Sequence, residues 1–182
     1  MRYHGKRFWL SMVVALCLVF TLVLGIWTGG VALAVPVGGI GGFIIEADEI
    51  QISNFKVLPK IGETSERAAY PQGSAQLDGV IKKLKLYKDL DVPGVGKVRV
   101  LMTASKDVKA TGVILDLSRM QADANFSKLK VAEKHSSDWQ QKFSLSAPSL
   151  VLKKPYIQGH YMFANSISLP GLSMKLEMIS AE

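Results

Sequence analysis

The chain has 182 residues, with 22 Lys+Arg against 15 Asp+Glu, 48% apolar residues and one cysteine. That size allows one domain of ordinary dimensions, and the apolar fraction excludes a disordered chain. A lone cysteine excludes an internal disulfide and a Cys-rich metal site.

The first elements are read from charge. Residues 1–7 form a basic tail carrying Arg2, Lys6 and Arg7, and no charge follows from Phe8 to Phe43. The stretch from Phe8 to Trp27 is almost wholly apolar, and a helix of about twenty residues reaches roughly 30 Å, the thickness of bilayer hydrocarbon. Residues 8–34 are therefore expected to be a transmembrane helix or signal anchor. The basic flank stays in the cytoplasm, so the remainder lies outside a bacterial membrane, single-pass. The apolar core is longer than a cleaved signal needs. Ala32-Leu33-Ala34 nevertheless supplies a small-x-small site, so secretion after cleavage near Ala34 is the alternative. Cys17 lies inside the apolar run, where it acts as a small hydrophobe and is badly placed for lipidation. Residues 35–43, with Val37 to Phe43 carrying four glycines in seven positions, read as a linker.

From residue 44 to 182 the period is two. Phe43-Ile45-Ala47, Val98-Val100-Met102-Ala104, Val113-Leu115-Leu117 and Leu172-Met174-Leu176-Met178 alternate apolar with polar neighbours, the signature of strands with one buried face. Turn residues intervene often: Pro59, Gly62, Pro71, Pro93-Gly94, Gly112, Pro155, Gly159 and Pro170-Gly171. Two short polar segments, Thr64 to Ala69 and Lys134 to Gln141, are candidate helices. The expected fold is mainly β, one antiparallel domain of roughly nine to eleven strands, either a repetitive open sheet or a sandwich or barrel. An internal likeness supports repetition. Phe43 to Ile52 matches Phe143 to Leu152, each with a three-residue step inside the alternation, as at a bulge or bend. Similar steps recur at Ile81 to Leu84 and Leu117 to Met120, and Val92-Pro93-Gly94-Val95 is matched by Leu169-Pro170-Gly171-Leu172.

Chemical motifs are sparse. His4, His135 and His160 stand apart from other ligands, so no metal site is expected. Gly73-Ser74-Ala75 lacks the spacing of a nucleophile elbow, and no phosphate loop, dinucleotide fingerprint or H-E-x-x-H is present. Gly94-Val95-Gly96 reads as a hairpin, and Asp78, Asp107, Asp116 and Asp123 as solvated or turn carboxylates. No catalytic residues, no enzyme activity and no cofactor are expected. A Ser within reach of His135 or His160 in a cleft would reopen a hydrolase.

Binding residues are proposed from the stripes and the lysines. Val98, Val100, Met102, Val113, Leu115, Leu117, Leu172, Met174, Leu176 and Met178 would face lipid if the sheet formed an open trough, Met adapting to irregular chains; as a packed core they need no ligand. Lys82, Lys83, Lys85, Lys153 and Lys154 would contact an anionic surface, or simply keep strand edges soluble. The expected partners are the bilayer, through the N-terminal helix, and a lipid ligand or an envelope protein. Nucleic acid is not expected, for want of an aromatic stacking platform.

The basic start, single anchor and glycine step lead into Gly41-Gly42-Phe43-Ile44-Ile45-Glu46-Ala47-Asp48-Glu49-Ile50. Phe55, Val57, Pro59 and Gly62 follow, and then Val92-Pro93-Gly94-Val95-Gly96-Lys97-Val98-Arg99-Val100. This arrangement resembles an uncharacterised family of exported, single-anchor, β-rich proteins of Gram-positive bacteria, some of whose members are labelled cholesterol esterase. The resemblance brings no catalytic residues with it. More distantly, the architecture is similar to bridging proteins of lipopolysaccharide transport, whose lipid-lining strands Ala47-Asp48-Glu49-Ile50 and Ala122-Asp123 echo; this is a likeness of architecture only. The leading expectation is a membrane-anchored, extracytoplasmic, non-enzymatic β domain that binds lipid or another apolar envelope component. The alternative is a structural or protein-interaction module of the envelope, docking by strand addition.

Overall fold

The computed structural model describes Gly41–Ile179 and the single residue Met12. The basic tail, the rest of the apolar segment and the linker as far as residue 40 lie outside the described residues, with the expectations that rest on them. Among the described residues no helix is long and apolar enough to cross a membrane.

Among the described residues the alternating segments become nine antiparallel strands: β1 (Phe43–Glu46), β2 (Glu49–Gly62), β3 (Tyr70–Lys82), β4 (Lys85–Val92), β5 (Gly96–Thr103), β6 (Val108–Ser127), β7 (Lys130–Glu133), β8 (Phe143–Ser168) and β9 (Ser173–Ile179). Hydrogen bonding runs β2–β3–β6–β8 and returns from β8 to β2. Four strands thus close on themselves. The 26 residues of β8 make closure possible, because its first half takes β2 on one edge while β6 follows the other edge to Ser168. Past Lys153, β8 exchanges β2 for β1, from Glu46↔Tyr156 to Phe43↔Gly159. β1 then carries β4, β4 carries β5, and β5 carries β9. These strands form an arm leaving the ring. The molecule therefore combines the two expected alternatives, a closed ring and an open sheet.

The ring interior holds the core. Ile52, Leu150 and Phe126 share one cross-strand row, as do Ile50, Leu152 and Ala124. Leu150 and Leu152 are fully buried, and the Phe55 and Phe126 rings sit 6.2 Å apart. Each such aliphatic side chain contributes about 1.5–3 kcal/mol by leaving water.

Several residues expected to end strands lie within them, for a common reason. A proline removes one ladder donor, and each proline stands where an edge has no partner. Pro59 lies beyond Val57, where β8 stops pairing with β2. Pro71 precedes Gly73, where β6 begins pairing with β3. Pro148 is opposite the bulged Asn54, and Pro155 spans the gap where β8 passes from β2 to β1. That gap is bridged by Asp48, whose N–H donates to the Lys82 carbonyl at 3.0 Å and whose carbonyl accepts from the Lys154 N–H at 2.9 Å.

The three-residue steps correspond to irregularities at three of four places: the β1–β2 break, the Lys83 turn with φ of 54°, and the bulges around Leu117. The matched segments themselves become neighbours, Ile50 opposite Leu152 and Ile52 opposite Leu150. Asp78 clasps two further bulges. Its Oδ1 accepts from the Gly112 N–H at 2.7 Å and its Oδ2 from Asn54 Nδ2 at 3.0 Å. Those bonds hold its carboxyl below the usual range, Asn54 first. In the β4–β5 turn, Pro93 sets φ and Gly94 takes a φ of 78°, with the Val95 N–H donating to the Val92 carbonyl at 3.1 Å.

Neither candidate helix forms as expected. At residues 64–69 the Thr64 hydroxyl accepts the Glu66 and Arg67 N–H groups, a local turn. Of Lys134 to Gln141 only Trp139–Gln141 winds, into one 3-10 turn capped by Asp138. Segments this short cannot meet the cost of helix nucleation without packing.

Candidate functional site

The arm has two unlike faces. Residues directly opposite in an antiparallel pair lie on the same side, so the register defines three rows on one face. The first runs Ile157, Ile45, Leu86, Met102, Met174; the second Lys88, Val100, Leu176; the third Leu90, Val98, Met178. The first row starts in the core, where Ile157 and Ile45 are buried, and ends in solvent. Exposure reaches 58% at Met174, 71% at Leu176 and 78% at Met178. Val98, Val100 and Met102 are half-buried beside them, and Leu172 continues the stripe at the base of β9, exposed. This is an apolar sheet face continuous with the core and uncovered among the described residues, the kind of patch that marks a binding surface. An open depression of about 720 Å³ lies at the tip of the arm, between the Val92–Gly96 turn and Met178-Ile179.

The opposite face is charged and cross-braced. Arg99 grips Asp89 through Nε to Oδ1 at 2.6 Å and Nη2 to Oδ2 at 2.7 Å, a bidentate pair of the stronger kind. This pairing holds the Asp89 carboxyl low and raises the Arg99 guanidinium further. The same guanidinium lies 4.4 Å from the Tyr87 ring centroid. The Tyr87 hydroxyl donates to Glu46 Oε1 at 2.9 Å, and Lys85 Nζ reaches Glu46 Oε2 at 3.3 Å. Burial, and then the Glu46 contact, push the Tyr87 hydroxyl up to about 12. The network makes this the polar face of the arm. It went unread in the sequence, where its only trace is the alternation of Lys85, Tyr87, Asp89 and Asp91 against Lys97 and Arg99.

The ten expected lipid-facing residues divide between two places. Val98, Val100, Met102, Leu172, Met174, Leu176 and Met178 come together on the arm. Val113, Leu115 and Leu117 belong to the ring: Val113 and Leu115 are buried in its core and Leu117 is half-buried against it. Val113 and Leu115 line an apolar interior cavity of about 50 Å³, together with Ile45, Ile157 and Met162. Sites that engulf a small molecule measure roughly 300–1,000 Å³, so the interior gap is too small for a lipid chain. The open face is the larger apolar opportunity.

The five lysines gather near the β1–β2 break, but acids neutralise three of them. Lys82 pairs with Glu49 at 2.8 Å, Lys83 with Asp48 at 2.6 Å and Lys85 with Glu46 at 3.3 Å. The Lys82 bond is the main cause of the lowered Glu49 carboxyl and is mirrored in the raised Lys82 ammonium; Asp48 likewise raises Lys83. Lys153 stands opposite both Glu49 and Asp123, and Lys154 follows it at a φ of 47°. Both side chains are exposed.

A polar cluster on the ring brings together residues the sequence left scattered. His160 Nε2 lies 2.8 Å from Ser118 Oγ, either group donating according to the tautomer. Two residues before Ser118, Asp116 is buried and its Oδ2 accepts from Lys60 Nζ at 2.5 Å. Asp116 Oδ1 and His160 Nδ1 are buried without a hydrogen-bond partner among the described residues. The serine–histidine contact resembles that of a hydrolase, but among the described residues no carboxylate accepts from His160 Nδ1 to orient the ring. Gly42 presses on that nitrogen so closely that a Cβ there would lie 2.9 Å from it. Burial, followed by the charge of Lys88, lowers the imidazole below its ordinary value, against a smaller opposing pull from Asp116. Among the described residues no three His, Cys, Asp or Glu side chains gather as a metal site.

No curated protein and no solved structure gives a significant match to the chain. A model of a family of unknown function (DUF6230) matches residues 41–182, the whole arm and ring included, and the chain belongs to that family.

Proposed function

We propose that this chain is a membrane-tethered, extracytoplasmic, non-enzymatic β domain that binds the apolar chains of lipid on the open face of its arm. The observation carrying this reading is the exposed stripe of Leu172, Met174, Leu176 and Met178, the last three in register with an apolar surface that leads into the core. Completing the burial of those four side chains in hydrocarbon is worth about 4–8 kcal/mol at 1.5–3 kcal/mol for each fully buried side chain, before the cost of association. The sequence supplies the proximity. The apolar segment ending near Trp27 is joined to β1 by a short glycine-rich stretch, which would hold the arm within reach of the bilayer. Lys88 stands among the rows as a cation able to lay its stem along the apolar surface and meet an anionic headgroup.

Native mass spectrometry of residues 39–182 purified from a bacterial envelope, followed by lipid extraction, tests this. Stoichiometric lipid that is lost on replacing Leu176 with Ser is expected. A ligand-free domain that ignores added phospholipid would refute the lipid reading and leave an envelope interaction module.

A further inference from the structure

We infer that two copies of this chain pair through the free edge of β9, joining their arms into one sheet about a two-fold axis at Leu176. β9 ends the hydrogen-bonded order of strands. β5 takes one of its edges, and the other has no partner among the described residues. Protective features are absent from this edge: Ser173–Ile179 contains no proline and keeps regular register with β5 throughout. Its single lysine, Lys175, is balanced by Glu177 two residues on.

Charge selects both partner and register. In an antiparallel pair centred on Leu176, each Lys175 falls opposite the other copy's Glu177, each Met174 opposite Met178, and Leu176 opposite itself. Centring the pair on Lys175 or on Glu177 instead would set like charges directly opposite, which is unfavourable. Among the described residues neither Lys175 nor Glu177 comes within ion-pair distance of an opposite charge, although Glu177 stands across from Arg99, which is itself held by Asp89. The two-fold axis stands perpendicular to the sheet and leaves both apolar faces on the same side. The pairing uses the backbone edge of β9, whereas lipid would use its side-chain face. The two readings therefore fail separately.

The test uses the full chain in its own membrane, with Cys17→Ser removing its one native thiol. Oxidation of the Leu176→Cys variant should give a covalent dimer on a non-reducing gel, because directly opposite Cα atoms lie about 4.5–5.5 Å apart, within disulfide reach. Met178→Cys should give none, since its two copies would stand roughly 13 Å apart along the strands. Lys175→Glu or Glu177→Lys, added singly to Leu176→Cys, should cut the cross-link at least tenfold, and the double exchange should restore it. Absence of the Leu176→Cys dimer, equal cross-linking at Met178→Cys, or indifference to the single charge reversals would overturn the inference. The restoring double exchange separates loss of pairing from loss of folding.

Discussion

Replacing Leu176 with Ser separates a binding face from a packed core, because its 71% exposure already fixes how much stability it can carry. Full burial of a leucine side chain is worth about 1.5–3 kcal/mol, so the part covered in the free protein amounts to less than about 1 kcal/mol. Leu150, with no exposure, provides the contrast: its truncation to Ala should cost about 2–5 kcal/mol by lost transfer energy and cavity formation. Urea unfolding of the two variants should therefore differ several-fold in destabilisation. Lipid partitioning should show the reverse order. Hydrocarbon would cover the exposed part of Leu176, worth about 1–2 kcal/mol, so Leu176→Ser should weaken vesicle binding by roughly 6- to 30-fold. Leu150→Ala should leave the binding of the folded fraction unchanged. A loss of about 3 kcal/mol on Leu176→Ser, or unaltered vesicle binding, would show that the row is packed in use and refute the reasoning.

Three further outcomes follow from the polar contacts. Lys60→Met leaves the buried Asp116 carboxylate without its cation and should destabilise the ring by about 2–3 kcal/mol, below the full cost for a buried pair because Lys60 is 39% exposed; adding Asp116→Leu should recover most of it in chemical denaturation. The lowered His160 means that protonation opposes the fold, so stability is complete above its ordinary 6.5 and declines as the pH falls below that. In His160→Gln, melting temperature should lose that step while keeping the carboxylate-driven decline at lower pH. Tyr87 behaves oppositely at the basic end: its contribution is present below its ordinary 10.0 and is lost as the pH rises towards about 12. An absorbance titration of Tyr87→Phe should lack a phenol ionising towards about 12, and its stability should fall less steeply over that range.

The strands were legible because a half-buried sheet imposes its two-residue period on the chain, as at Val98 to Ala104 and Leu172 to Met178. Their extents were not. Pro59, Pro71 and Pro155 read as breaks, yet each stands where a strand edge has no neighbour, and edge occupancy is a property of pairing between distant segments. The same limit applies to the apolar rows. Alternation assigns Leu115 and Leu176 to the inward phase alike, but whether another strand covers that face is settled by ring closure, which buries one and leaves the other in the open arm. The lysines at 82, 83 and 85 were visible as a cluster, whereas their acids at 46, 48 and 49 become neighbours only through the register of β1, β2, β3 and β4. Ser118 and His160 lie far apart in sequence and meet across a bulge that no local pattern announces.

Closure of the ring also constrains the order in which the molecule can form. The contacts that complete it, Glu49 with Lys153 through Val57 with Leu145, join residues on the order of 100 positions apart, a topology with high contact order and slow folding. Until β8 has been synthesised, β2 can pair with β3 but keeps its other edge open. β9, with its methionine-rich stripe, emerges last of the strands. A chain delivered from its N-terminus therefore passes through a stage with unpaired apolar strands before the ring can shut. The lysines Lys82-Lys83 at the end of β3 and Lys153-Lys154 within β8 are charges of the kind that act as gatekeepers beside such strands, limiting aggregation while the last pairing is awaited.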